Sequence, residues 1–244
     1  MAAALPVSPD PSTRARRSPI YHTLAAAGAS FAAIGDAAIA ARFGDAVELE
    51  VEGARRFGLA DLSPLPRTGF KGRAMPEFLS QQGITIGDAS NRAYPSGRNS
   101  RAVRLAPTEV LILGSRDGDD DLCARLEAAW SADTGMVFPV PRRDGTFWFA
   151  VTGSEAPAMF AKLCGVDLRH SRFNNHAVAQ TSVARINAIV IRDDICDVLC
   201  YHILGDVASA ESMWSYVTDA MTEFDGWLVG TDALSSLARL AGDT

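Results

Sequence analysis

Three residues able to bind a soft or borderline metal lie within seven positions: Cys196, Cys200 and His202. On a strand, all three would share one face, and a tetrahedral zinc site would need one ligand more. Small cysteines on a half-buried strand explain the pattern more simply, so no metal is expected. Cys164 and His170 would suit a nucleophile–base pair, but a cysteine at a helix end is first a packing residue. The run Asp117, Asp119, Asp120 and Asp121 lacks the spacing and terminal glutamate of a calcium loop, and reads as charge at the start of a helix. Gly69-Phe70-Lys71-Gly72 has the look of an anion loop, yet two glycines suffice for a tight turn. The glycine-rich dinucleotide and P-loop signatures and the G-x-S-x-G elbow are all missing. Trp130, Trp148, Trp214 and Trp227 fall at core spacing. The residues alone assemble no catalytic constellation.

The elements that would position these residues follow from hydrophobic periodicity. Amphipathic helices are predicted over 73–82, 119–132, 155–164, 208–223 and 231–240, and a further helix in the alanine-rich stretch 20–41. Strands are predicted over 46–51, 102–105, 109–113, 135–139, 146–152, 184–192 and 196–204. The segments 61–72 and 84–100, rich in turn residues, read as irregular. Strands in pairs followed by helices indicate an α+β fold with antiparallel or mixed sheets. An internal echo reinforces this. Gly72, Ala74, Pro76, Phe78 and Gly83 are matched by Gly153, Ala156, Pro157, Phe160 and Gly165, which suggests two copies of a strand–helix–strand–strand–helix unit.

The 244 residues, 48% hydrophobic and 21% charged, suit a globular chain with a sizeable core. A net charge of -6 provides no bulk attraction for nucleic acid or an anionic membrane. No run of about 18 apolar residues could span a bilayer, and four scattered cysteines suit a reducing cytoplasm. Residues 1–19, with four prolines and three arginines, read as a flexible N-terminal arm rather than a secretory signal, and 20–244 as one α+β domain.

Several landmarks then recur in a definite order: Arg67-Thr68-Gly69-Phe70-Lys71-Gly72, Phe78-Leu79, Gly83, Asn91, the block 103–113, and Phe147-Trp148-Phe149 running to Gly153. After these come Asp167-Leu168, Phe173, Gln180-Thr181, Arg185, Tyr201-His202-Ile203 and the helix of Trp214. Across 18–225 the chain resembles the gamma-subunit family of sarcosine oxidase, within the folate-binding aminomethyltransferase (glycine-cleavage T-protein) superfamily. The resemblance implies an α+β fold of pseudo-duplicated strand–helix–strand units that lacks the superfamily's C-terminal barrel.

It also implies a non-catalytic subunit of a heteromeric, flavin-dependent sarcosine or N-methyl amine oxidase or dehydrogenase, in which demethylation is linked to tetrahydrofolate. FAD, FMN, NAD and tetrahydrofolate are then expected in partner subunits and no cofactor in this chain. The partners implied are alpha and beta subunits, with a delta subunit where the assembly has one. Folate-dependent relatives carry a carboxylate where His202 stands, and imidazole cannot reproduce a bidentate pairing with the pterin. Lys71, Asn91, Arg104 and His202 are therefore expected to line a vestigial folate cavity, with no catalytic residue. The alanine-rich N-terminal segment and the region of Trp227 and Leu228 are expected at subunit contacts. The alternative is a stand-alone folate-dependent aminomethyltransferase or demethylase.

Overall fold

Phe147-Trp148-Phe149-Ala150-Val151 is a strand buried on both faces, as expected for the centre of a layered protein. A computed structural model describes residues 8–240 apart from 98 and 119. After β1 (Arg16–Arg17), α1 (Tyr21–Ala26), β2 (Ser30–Ile34) and β3 (Ala37–Arg42), the chain runs α2 (Val47–Phe57), β4 (Gly58–Asp61), β5 (Arg67–Lys71), α3 (Met75–Gln81), β6 (Arg92–Pro95), β7 (Arg101–Ala106), β8 (Glu109–Leu113) and α4 (Leu122–Ala129). It continues through β9 (Phe138–Pro139), β10 (Thr146–Thr152), α5 (Ala156–Leu163), β11 (Val178–Val183), β12 (Ile186–Arg192), β13 (Cys200–Asp206), α6 (Ala210–Met221), β14 (Trp227–Leu228) and α7 (Thr231–Leu240).

The echo in the sequence is a duplication in space. One sheet has the order β6-β7-β8-β5-β9, the other β11-β12-β13-β10-β4 with β14 added outside β4. Each repeat is strand–helix–three strands–helix, one strand longer than the sequence indicated, because β6 lies in the segment 84–100, read as irregular, and β11 just before the predicted strand 184–192. The outer strands are exchanged: β4 directly precedes β5 but pairs with β10, and β9 precedes β10 but pairs with β5. At the junction of the two sheets, Ala93 N donates to His176 O (2.8 Å) and Val178 N to Asn91 O (3.0 Å) around the bridge of Arg92 with Ala177. Asn91 and His176 both take left-handed φ, 55° and 68°, as expected of equivalent residues about a pseudo-twofold axis.

Period-two alternation then sorts the core. Phe147, Phe149 and Val151 face α5 and α6 and meet Met159, Phe160, Met213 and Trp214. Trp148 and Ala150 face the other sheet and pack with Val103, Leu105, Leu111 and Leu204. Beyond that sheet, Phe70, Val110 and Ile112 meet α3 and α4 through Phe78, Leu79, Leu122 and Leu126. The layers are helices, sheet, sheet, helices.

The stretch 20–41 begins with a helix, as expected, and Gly28 (φ +87°) follows it; the rest is a hairpin, in which Gly35 (φ +54°) with Asp36 turns β2 into β3. One predicted element differs. The stretch 46–51 alternates like a strand but begins α2, whose buried positions Glu50, Gly53, Ala54 and Phe57 follow helical spacing. Of the arm expected over 1–19, residues 1–7 lie outside the described ones. From Ser8 onward the chain is packed: Ser8 exchanges hydrogen bonds with Phe31, Pro11 and Ser18 are buried, and β1 runs parallel to β3.

The hairpin joining β11 to β12 has a two-residue turn with both φ positive, Ala184 (50°) and Arg185 (66°), a geometry suited to Asn-Gly. Ala184→Asn with Arg185→Gly is expected to raise stability by about 1 kcal/mol. Urea denaturation checks it, and an unchanged midpoint would refute it.

Candidate functional site

A cleft of about 540 Å³ opens between the sheets, with Leu111 of β8 on one side and β10–β13 on the other. Its polar lining comes from Arg142, Thr146, Gln180, Thr181, Asn187 and Asp206. Most of these groups already serve the fold. Arg142 pairs with Glu109 at 2.7 Å, and Gln180 donates to Asn91 Oδ1 (2.8 Å) and Leu105 O (2.9 Å). Thr146 accepts from the buried Arg67, and Asp206 caps the turn before α6 through Ala208 N. Burial lowers the Arg67 guanidinium to about 10, although its donors are spread over the carbonyls of Ser63, Leu65 and Thr146. The lining includes no histidine, cysteine or lysine, and only one carboxylate. Such a cleft can hold a small polar molecule but offers no acid–base pair and no activated nucleophile.

A second cluster lies deeper on the same face of β13. Asp193, buried in the turn after β12, lies 2.9 Å from Arg101 Nε, 3.5 Å from His176 Nδ1 and 3.8 Å from His202 Nε2. Burial favours the neutral acid, but the His176 and His202 rings and the Arg101 charge outweigh it and hold the carboxyl well below the usual range. Trp148 Nε1 donates to His202 Nδ1 at 3.0 Å. An indole N–H can only donate, so Nδ1 must be bare and the proton of the neutral ring sits on Nε2, facing Asp193. Burial likewise lowers the affinity of His202 for a second proton.

The consequence for stability has a definite sign. An unfolded histidine gains a proton near pH 6.5, whereas buried His202 resists it, so the unfolded state takes up more protons as the pH falls. The contribution is complete above about pH 6.5 and declines below it, by at most about 1.4 kcal/mol per pH unit. His202→Gln is expected to flatten the stability profile between pH 7 and 5 relative to the parent. Parallel profiles would refute the assignment.

The residues expected to line a folate cavity are placed as follows. Lys71 is exposed at the end of β5. Asn91 stands at the junction of the repeats. Arg104 is buried, donating to Gly87 O (2.5 Å) and Pro107 O (3.0 Å). His202 is sealed beneath Trp148. None of the four lines the cleft, whose polar groups come from Arg142, Gln180, Asn187 and their neighbours. Arg104 has a counterpart in buried Arg192, which donates to His170 O and Phe173 O, so both arginines tie a post-helical loop to its sheet.

The remaining chemistry-bearing residues are dispersed. Cys196 is exposed in a left-handed turn (φ 57°) before β13 begins, so it does not share a strand face with Cys200. Burial pushes the Cys200 and Cys123 thiols up to about 12. Among the described residues no group of three or more potential ligands is poised for a metal. Cys164 and His170 share no hydrogen bond, and His170 is exposed. Asp117 and Asp120 tie loops to Asn99, Ser235 and Ser100, while Asp119 lies outside the described residues. Trp148 and Trp214 are core residues as expected, whereas Trp227 is 43% exposed. The Asp193 cluster is the arrangement that sequence reading missed, since Asp193 falls in the short gap between the predicted strands 184–192 and 196–204.

No family model and no curated protein matches this sequence. Solved structures do match in fold. The glycine cleavage system aminomethyltransferase T from Bartonella henselae superposes with a TM-score of 0.74 at 18% identity, over 93% of this chain and 63% of that one. A chain of heterotetrameric sarcosine oxidase from Corynebacterium sp. U-96 superposes with a TM-score of 0.64 at 19% identity, over 86% of this chain and 96% of that one. The fold is therefore the α+β fold of the aminomethyltransferase, as expected, and this chain spans less than two thirds of that enzyme's length. No helix among the described residues is long and apolar enough to cross a membrane.

Proposed function

We propose that this chain is a gamma-like, non-catalytic subunit of a heteromeric, flavin-dependent sarcosine or N-methyl amine oxidase or dehydrogenase. Alpha and beta subunits, and a delta subunit where present, carry FAD, FMN, NAD and tetrahydrofolate. The observation that carries this reading is the fold match to a chain of heterotetrameric sarcosine oxidase, over 96% of that chain and 86% of this one. The chemistry of the site supports it. The one ring atom of His202 able to accept a hydrogen bond is taken by Trp148, so this position does not fit the donor edge of a pterin. The cleft also lacks an acid–base pair. The four free thiols support a reducing, cytoplasmic setting.

A second reading, a stand-alone folate-dependent transferase, is favoured by the open cleft of about 540 Å³. Calorimetric titration of the chain with tetrahydrofolate separates the two. No heat of binding at millimolar ligand is expected; saturable binding would overturn the first reading in favour of the second.

A further inference from the structure

The two half-sheets are finished differently at their exchanged strands. β14 covers β4, pairing in parallel through Trp227 with Gly58 and Leu228 with Leu59. Val229 N donates to Leu59 O (3.0 Å), and buried Glu50 accepts from Gly230 N (2.7 Å), which latches this segment in place. The equivalent strand β9 is the outermost of its sheet, with no further strand beside it among the described residues. There Met136 is 46% and Phe138 50% exposed, two large apolar side chains one residue apart.

This edge cannot be completed as the other one is. Val140 N points inward to Gly69 O (2.7 Å), so the outward backbone positions are Pro139 and Val137. Pro139 has no N–H, and the carbonyl of Val137 is already taken by Trp130 Nε1 at 2.8 Å. A proline at the outward position blocks strand addition. An occupant must therefore dock through side chains, as a folded surface does.

Charge identifies the kind of surface. Phe138 is in register with Lys71 on β5. Lys71 and Arg73 are both exposed, and neither has an acidic partner within ion-pair distance among the described residues. The neighbouring Glu109 is engaged by Arg142. On a chain of net charge -6 this is a local basic rim around an apolar step. We infer that the β9 edge, formed by Met136, Phe138, Lys71 and Arg73, docks an apolar, acid-rimmed face of a partner chain. The inference rests on the subunit reading above.

The test uses the complex formed on co-expression with the alpha and beta flavoprotein chains. Phe138→Ser, and separately Lys71→Glu with Arg73→Glu, should each weaken association about tenfold or more, the charge reversal also reducing its salt dependence. Leu49→Ser, at a 52% exposed position on α2, should change it by less than about twofold. As a readout without mutation, peroxide oxidation of Met136 should slow in the assembled complex. If the parent complex forms but both variants bind normally and Met136 oxidises at its free rate, the docking surface is wrong and the subunit reading stands. If the parent forms no complex, both fall.

Discussion

Gly153→Ala is expected to destabilise the protein by about 3 kcal/mol or more, and Gly72→Ala by a similar amount. Each glycine sits where a strand turns into its helix, with φ of +97° and +131°, which L side chains rarely adopt. A Cβ on Gly153 would enter the Arg56 carbonyl and stand 2.7 Å from Phe57 N; one on Gly72 would enter the Met136 carbonyl and stand 3.0 Å from Val137 Cα. Neither obstacle can retreat. Arg56 O accepts from Glu155 N (3.0 Å) and Met136 O from Ala74 N (3.1 Å), and each precedes the exchanged strand of the opposite repeat. Gly83 provides the control: its φ is +77°, but its Cβ would meet open space, so Gly83→Ala should cost only about 1 kcal/mol. Equal losses at Gly83 and Gly153 in urea denaturation would show that the crossing of exchanged strands does not limit stability.

Asp193→Asn is expected to cost about 3 kcal/mol, because it leaves the partly buried Arg101 guanidinium without its countercharge. Adding Arg101→Met should recover part of that loss, since an apolar replacement removes the stranded charge. The pH dependence has the opposite origin from that of His202. A carboxyl held below its unfolded value contributes stability that is complete above about pH 4 and is lost as the pH falls through the depressed range. Asp193→Asn should therefore flatten the acid limb below pH 4. Guanidinium unfolding of the single and double variants measures both effects. A double variant no more stable than Asp193→Asn would argue against a charge-pairing role.

The legible parts of the fold were those where one periodicity ruled. Trp214 and Val217 announced α6, and Met159 with Phe160 announced α5. Alanine does not discriminate in this way: the stretch ending in β3 packs its alanines as readily in a strand as in a helix, and two glycines decided for a hairpin. In α2 the alternation of Val47, Glu48, Leu49, Glu50 and Val51 misled, because Glu50 is the buried member and Leu49 the exposed one. Glu50 is inside because its carboxylate takes Phe43 N, in the loop before α2, and Gly230 N, 180 residues further along the chain. The Asp193 cluster was illegible for the same reason. Arg101, His176, Asp193 and His202 come from four separate segments and have no spacing in common. The duplication was readable because the runs that begin at Gly72 and Gly153 both mark the same strand-to-helix turn, matched through Phe78 and Phe160 to Gly83 and Gly165.

The most direct test of the account is the native mass and absorption spectrum of this chain after tag-free co-expression with the alpha and beta flavoprotein chains. The account predicts a single stoichiometric species that contains this chain, absorbs as a flavoprotein and oxidises sarcosine or a related N-methyl amine. A colourless monomer, separate from an assembly that forms and turns over without it, would contradict the account.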